Sequence, residues 1–318
     1  MKLQTQIPLE KQSNNQIDYQ SNILLLGSCF VENIGDKIEY FKFQNLQNPF
    51  GILFHPKAIE TLVLNAIQKK AYSDKDVFFQ NEQWHCFDAH SRLSDGSKET
   101  LLQSLNDSIK STNSQIFEST HIIITLGTSW VYRDIKSDTI VANCHKVPQK
   151  QFTKVLLTID EVSNSLQNIV KSICKVNPKA NIIFTVSPVR HVKDGYVENT
   201  QSKAHLIAAI HNVLSDKAYT NCFYFPSYEI MLDELRDYRF YAEDMLHPNA
   251  IAVQYIWEKF KYVWLASYTD KTMNDVDVIQ KGIEHRAFNP NSEAHQKFLQ
   301  QLEIKKQELQ SEFPHMQF

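Results

Sequence analysis

Two short segments, more than two hundred residues apart, hold the side chains best suited to chemistry: Gly27-Ser28-Cys29-Phe30 and Asp244-Met245-Leu246-His247-Pro248. A serine becomes a nucleophile when an imidazole takes its proton, and the imidazole needs a partner to hold its tautomer. Asp244 lies three residues before His247, close enough to accept the Nδ1–H within one turn. Nε2 is then free for the Ser28 proton. Pro248 disfavours helical backbone at the residue before it. It also suits the first position of a following helix, so His247 is expected to project from a loop. Ser28 follows an apolar run and precedes a helical pattern. That places it at a helix N-terminus, near unpaired N–H groups and the positive end of the dipole. The N–H of Cys29 could serve an oxyanion there. Two other readings stay open at this point. Ser28 can be an ordinary helix cap, and Cys29, facing the same dipole, can be the nucleophile itself.

Other side chains extend the candidate set. His85, Cys86, Asp88 and His90 crowd one segment, as metal ligands can. No second cluster has ligand spacing and H-E-x-x-H is absent, so no metal and no cofactor are expected. That segment reads instead as a hairpin near a pocket mouth, with His90 and Arg92 as substrate contacts. His55, His145 and Arg190 are further candidates. Arg92, Lys146 and Arg190 together would make a cationic rim suited to a carboxylate-bearing or acidic acyl substrate.

The elements that must position these groups are legible as apolar runs at residues 23–26, 122–126, 182–186 and 222–225. Each is short, bounded by polar or turn residues, and fit for a buried parallel strand. Helical patterns at 31–40, 101–117, 159–176, 203–214 and 251–265 alternate with them. This alternation predicts a doubly wound α/β sheet. Ligands bind beyond the carboxyl ends of such strands, and small hydroxyl residues follow all four. Ser28, Thr128-Ser129-Trp130, Ser187 and Ser227 stand there. Residues 77–92 and 131–144 read as hairpins decorating the sheet. From about residue 272 the chain is polar and helical, broken at Asn289-Pro290-Asn291. The expected organisation is a domain over 1–270 and a helical extension over 271–318, a candidate oligomer contact.

Composition narrows the function. With 33 Lys and Arg against 36 Asp and Glu, the net charge is −3, which leaves no basic excess for nucleic acid. Seven glycines are too sparse for G-x-G-x-x-G or a P-loop. Five cysteines, odd in number and without C-x-x-C, suggest neither disulfides nor a zinc knuckle. No signal-peptide pattern and no membrane-length apolar run are seen, so a cytoplasmic protein without membrane or nucleic-acid partners is expected.

Leu26-Gly27-Ser28-Cys29-Phe30 resembles the signature of the GSCFA family, which is grouped with the SGNH (GDSL-like) hydrolases. The resemblance continues through Asn48-Pro49-Phe50-Gly51, Gly127-Thr128-Ser129-Trp130, Asn143-Cys144-His145-Lys146 and Ser187-Pro188-Val189-Arg190. It ends with residues 224–229 and 244–248, spanning roughly 20–265. It implies a three-layer α/β/α fold with a five-stranded parallel sheet. It also implies Ser28 as nucleophile, His247 and Asp244 as its partners, and Gly51 as an oxyanion donor. The SGNH pattern places an asparagine donor where this chain has Gly127-Thr128-Ser129-Trp130, so Thr128 or Ser129 is the expected substitute, Thr128 standing in the expected oxyanion hole. Asn48 and Trp130 join the expected substrate contacts. The function expected is a serine hydrolase of small acyl esters, with acyl transfer to a sugar hydroxyl as a variant. A pocket that binds ligand without turnover is the alternative.

Overall fold

A strand built from residues 23–26 carries apolar side chains on both faces and needs helices above and below it. The computed structural model, which describes residues 5–318, supplies them. In chain order the elements are β1 (Asn22–Gly27), α1 (Cys29–Tyr40), β2 (Gln44–Gln47), α2 (Pro56–Ile67), β3 (Phe78–Gln80), β4 (Gln83–His85), α3 (Lys98–Glu118), β5 (His121–Leu126), β6 (Trp130–Asp134), β7 (Ile140–Val141), β8 (Phe152–Leu156), α4 (Ile159–Val176), β9 (Asn181–Val186), α5 (Tyr196–Leu214), β10 (Cys222–Tyr224), α6 (Ser227–Glu229), α7 (Ala250–Trp264), α8 (Thr269–Glu284) and α9 (Glu293–Glu312).

Five strands form one parallel sheet in the order β10-β9-β5-β1-β2. Alternate side chains face opposite layers. Leu24, Leu26, Ile122, Ile124 and Phe184 pack with α2, α3, α4 and α5. Ile23, Leu25, Ile123 and Ile183 pack with α1, α7 and α8. The result is the three-layer α/β/α fold. From β1 the chain passes through α1 to β2, then returns through α2 and α3, on the other face, to β5. This reversal makes a topological switch point between β1 and β5, and a crevice opens there at the carboxyl ends. Gly27-Ser28 and Gly127-Thr128 line that crevice.

The fifth strand, β2, has only one apolar side chain, in Gln44-Asn45-Leu46-Gln47. As an edge strand it needs no more, so no apolar run marks it. Helix α2 also lacks a Ser, Thr, Asp or Asn cap. Its cap is His55, whose Nδ1 accepts the Ala58 N–H (3.1 Å), with Pro56 in the first turn. The expected hairpin over 77–92 contracts to β3 and β4, joined through Asn81 and Glu82 at φ 48° and 61°. The expected hairpin over 131–144 is β6 and β7, extended by β8 into a three-stranded sheet.

Helices α8 and α9 share the apolar cluster of α1 and α7 through Met273, Val276, Ile279, Leu302 and Leu309. Tyr40 Oη donates to Asp277 Oδ1 (2.9 Å), and the Lys42 carbonyl meets His315 Nε2 (3.2 Å). These contacts lie at the far end of α1, about 18 Å along the helix from Cys29.

Candidate active site

Ser28 is placed by a turn that only glycine can begin. Gly27 has φ +135°, and a Cβ there would lie 2.1 Å from the Thr125 carbonyl oxygen. The Gly27 N–H donates to Asn48 Oδ1 (2.9 Å), and the Ser28 N–H donates to the Thr125 carbonyl (2.9 Å). Ser28 is the cap residue of α1, but its side chain makes no capping bond. Its Oγ is buried and has no hydrogen-bond partner. The hydroxyl is therefore not spent on holding the helix. The Val31 N–H is taken by the Ser28 carbonyl (2.9 Å). Cys29 and Phe30, the first two helical residues, have no acceptor within the helix for their N–H groups.

His247 reaches the same place from an exposed turn. Its Nδ1 is 2.6 Å from Asp244 Oδ2, and Asp244 Oδ1 accepts the N–H groups of Leu246 (2.9 Å) and His247 (3.0 Å). These backbone bonds, then the imidazole, hold the Asp244 carboxyl down at about 2. The turn needs a left-handed residue, Met245 at φ 58°. A bridge between Tyr241 and Pro248 closes it, and the Arg190 N–H bonds to the Leu246 carbonyl (3.2 Å). Pro248 does not open α7 as expected. Asn249 caps that helix, accepting from Ile251 and Ala252, and Pro248 stands one residue before the cap. His247 Nε2 lies 3.9 Å from Cys29 Sγ. It makes no bond to Ser28 Oγ, which is buried. Burial raises the Cys29 thiol above its usual range, and Lys203 opposes that.

Beneath the crevice lies Lys203, 1% exposed, its Nζ donating to the carbonyls of Gly127 and Ser187 (2.7 Å each). It ties together the two residues that follow β5 and β9. Burial pulls its pKa down to about 7. Beside it stands His191, whose Nε2 is buried without a partner.

The remaining expected residues are distributed more widely. The Gly51 N–H, expected in the oxyanion hole, donates instead to the Asn48 carbonyl (2.7 Å), closing a turn with Asn48 at φ 41°. Thr128 Oγ1 is engaged with Ser202 Oγ (3.0 Å) and with the Trp130 N–H (3.0 Å). Asn48 spends its side chain on Gly27 and on Glu32 (3.3 Å), so it braces the turn that carries Ser28. His55 is occupied at both ring nitrogens, Nε2 by the Val141 carbonyl (3.1 Å), and burial lowers its pKa to about 4. His90 accepts the Arg92 N–H (3.2 Å) and packs where a Gly51 Cβ would sit.

The expected cationic rim is not continuous. Arg92 forms a two-pronged pair with Glu32 (2.9 and 3.2 Å), and Arg190 stacks on Tyr241 at 4.2 Å, in a separate depression. Trp130 and His145 do line a cavity of about 630 Å³, with Phe54, Tyr132, Phe152 and Lys193. His145 itself is buried, Nε2 bonded to the Cys86 carbonyl (2.7 Å). The cavity reaches the crevice at Thr128 and His191. His85, once a metal candidate, bonds Ser94 (2.6 Å) and the Gln80 carbonyl (2.9 Å). Among the described residues no group of three or more His, Cys, Asp or Glu side chains could hold a metal ion, and no helix could cross a membrane.

Sequence reasoning passed over Lys203, and it placed His191 beside Arg190 after a strand end, where ligand contacts are common, without giving it a role. A signal existed for Lys203: it falls on the apolar stripe of α5, with Leu206, Ile210 and Val213.

Comparison with curated proteins finds no match. Among solved structures, an acetyl xylan esterase from the rumen bacterium Butyrivibrio proteoclasticus is similar at a TM-score of 0.42 and 9% identity. The match covers 84% of this chain and 66% of that one. The model of the GSCFA family matches residues 22–260, and that of the GSCFA domain protein, C-terminal domain, matches residues 276–318. The chain therefore belongs to the GSCFA family.

Proposed function

We propose that this chain is a serine hydrolase of the SGNH type that cleaves small acyl esters through Ser28, His247 and Asp244. One observation carries the reading. A paired Asp244–His247 unit brings Nε2 to the first turn of α1, beside a serine whose hydroxyl is buried and bonded to nothing. Because Ser28 Oγ has no partner to lose, turning about χ1 toward Nε2 sacrifices no hydrogen bond. Such catalytic contacts often tighten only when substrate is bound.

In the reaction, Ser28 Oγ attacks the acyl carbon while its proton passes to His247 Nε2. The carbonyl electron pair moves onto oxygen, facing the N–H groups of the first turn and the positive end of α1. Collapse breaks the bond to the alcohol, which leaves with the proton from Nε2. Water, or a second hydroxyl in the transfer variant, then gives a proton to Nε2 and attacks the acyl-serine. Collapse breaks the bond to Ser28 Oγ, which takes that proton back from Nε2, releasing the acid or new ester and restoring Ser28. Asp244 keeps the Nδ1 tautomer throughout. The aromatic cavity beside Thr128 and His191 would take the larger, alcohol part of the ester.

A second reading has an observation of its own: the side chain within hydrogen-bonding reach of Nε2 is Cys29 Sγ, not Ser28 Oγ. The raised thiol pKa argues against a resting thiolate there. Fluorophosphonate labelling and turnover of short acyl esters separate the two. Ser28→Ala is expected to lose both, and Cys29→Ala to keep labelling and most turnover. Full labelling of Ser28→Ala would remove the serine reading. Loss in Cys29→Ala alone would transfer the role to the thiol.

A further inference from the structure

Among the described residues, six buried side-chain polar atoms have no hydrogen-bond partner. Buried polar groups are almost always paired, and an orphan calls for an explanation. Two of these six, Ser28 Oγ and His191 Nε2, flank one glycine. A Cβ built on Gly127 would lie 3.1 Å from His191 Nε2 and 3.2 Å from Ser28 Cβ. The unspent ring nitrogen and the Cβ that carries the unspent hydroxyl thus border the same small space at the head of β5. The loop there, Gly127-Thr128-Ser129-Trp130, holds no asparagine, and Thr128 Oγ1 is already engaged.

We infer that His191 is a catalytic residue whose Nε2–H donates to the oxyanion formed on the substrate carbonyl at Ser28. The inference rests on the serine-hydrolase reading. It assigns His191 the tautomer with the proton on Nε2.

The surroundings suit a fixed, neutral donor. The His191 N–H bonds to Asn199 Oδ1 (2.8 Å), and the ring meets Phe54 edge-on at 5.4 Å. The preceding residue, Arg190, is bonded to the His247 turn. The titratable groups that bear on it are Lys203 from α5 and His247 from the turn, with Cys29 of α1 close to Lys203. Burial, then electrostatic opposition from Lys203 and His247, holds the ring near 3, so it is uncharged at neutral pH. A neutral N–H fixed before the reaction stabilises the developing oxyanion without reorganising as charge appears.

The test compares wild type with His191→Phe, which keeps the ring against Phe54 and removes the donor. His191→Asn and the near-isosteric His191→Leu form a second pair. In the Phe and Leu variants kcat is expected to fall about 10²–10³-fold with KM within about twofold. The Asn variant should recover a measurable part of the loss. Affinity for a boronic acid that mimics the tetrahedral intermediate should fall by a similar factor, while inhibition by the product alcohol stays unchanged. Between pH 5 and 8 the wild-type to Phe ratio should be constant. Wild-type kcat retained in both the Phe and Leu variants overturns the assignment. So does a loss confined to KM, or a ratio that changes with pH. If His191→Phe does not fold, the Asn and Leu pair decides, and equal losses in the two overturn it. A wild-type protein without turnover, or an active Ser28→Ala, would defeat the serine-hydrolase reading itself. Inactive Ser28→Ala beside fully active His191→Phe defeats only the role of His191.

Discussion

Asp244 shows how much one side chain can be asked to do. One of its oxygens holds the backbone of the turn and the other holds the imidazole. With its pKa at about 2, it stays ionised throughout the neutral range, so no acid limb of activity near neutrality comes from this carboxyl. Asp244→Asn should lower kcat by about 10³–10⁴-fold, because an amide can favour the wrong imidazole tautomer. The melting temperature should move little, since both partners are about half exposed. Steady-state kinetics and a thermal melt check this; a fall in kcat of less than tenfold would contradict it. Ser28, Asp244 and His247 were legible as candidates because their chemistry is written in residue type and short spacing. Gly51 was not, because whether a backbone N–H is free depends on a turn. Here the left-handed Asn48 turns its own carbonyl onto that group.

At the scale of elements, Lys203 links α5 to the ends of β5 and β9. Its pKa is about 7 in the folded chain against an ordinary 10.5. Between those values the unfolded state binds more protons than the folded one, so this group makes stability rise as pH increases from about 7 toward 10.5. The contribution can reach about 1.4 kcal/mol per pH unit. Lys203→Met should be less stable overall, because two buried carbonyls lose their donor, but it should lack this rise. Urea unfolding at several pH values from 7 to 10 measures it. Parallel curves for wild type and variant would refute the assignment. The strands β1, β5, β9 and β10 were readable because burial on both faces demands unbroken apolar runs. β2 and β8 were not, since an edge strand or a surface sheet can be built from polar residues. The α2 start was hidden by a histidine acting as its cap.

Across the whole molecule, the crevice and the C-terminal helices lie at opposite ends of α1. Leu302 and Leu309 of α9 are buried in the cluster that also receives Val31 and Trp257. Leu302→Ala should therefore cost about 2–4 kcal/mol of stability. Ester turnover per folded molecule should be unchanged, because the tail's hydrogen bonds meet α1 at the end away from Cys29. Denaturant unfolding and kcat on the same preparation test both halves; a proportionate loss of kcat would show that the tail shapes the site.

Residue type and spacing by themselves determined the alternation of strands and helices, the end of the sheet where the candidate residues gather, and the paired acid and imidazole. These follow from local rules: burial periodicity, the restraint proline places on its predecessor, and hydrogen bonds within one turn. Only the tertiary structure decided which groups remain unspent. Ser28 Oγ and His191 Nε2 are free because their neighbours satisfy one another. Gly51, Thr128 and Asn48 are committed because segments distant in sequence close upon them. A hydrogen-bonding group can be used only once, and its partner is chosen by the fold.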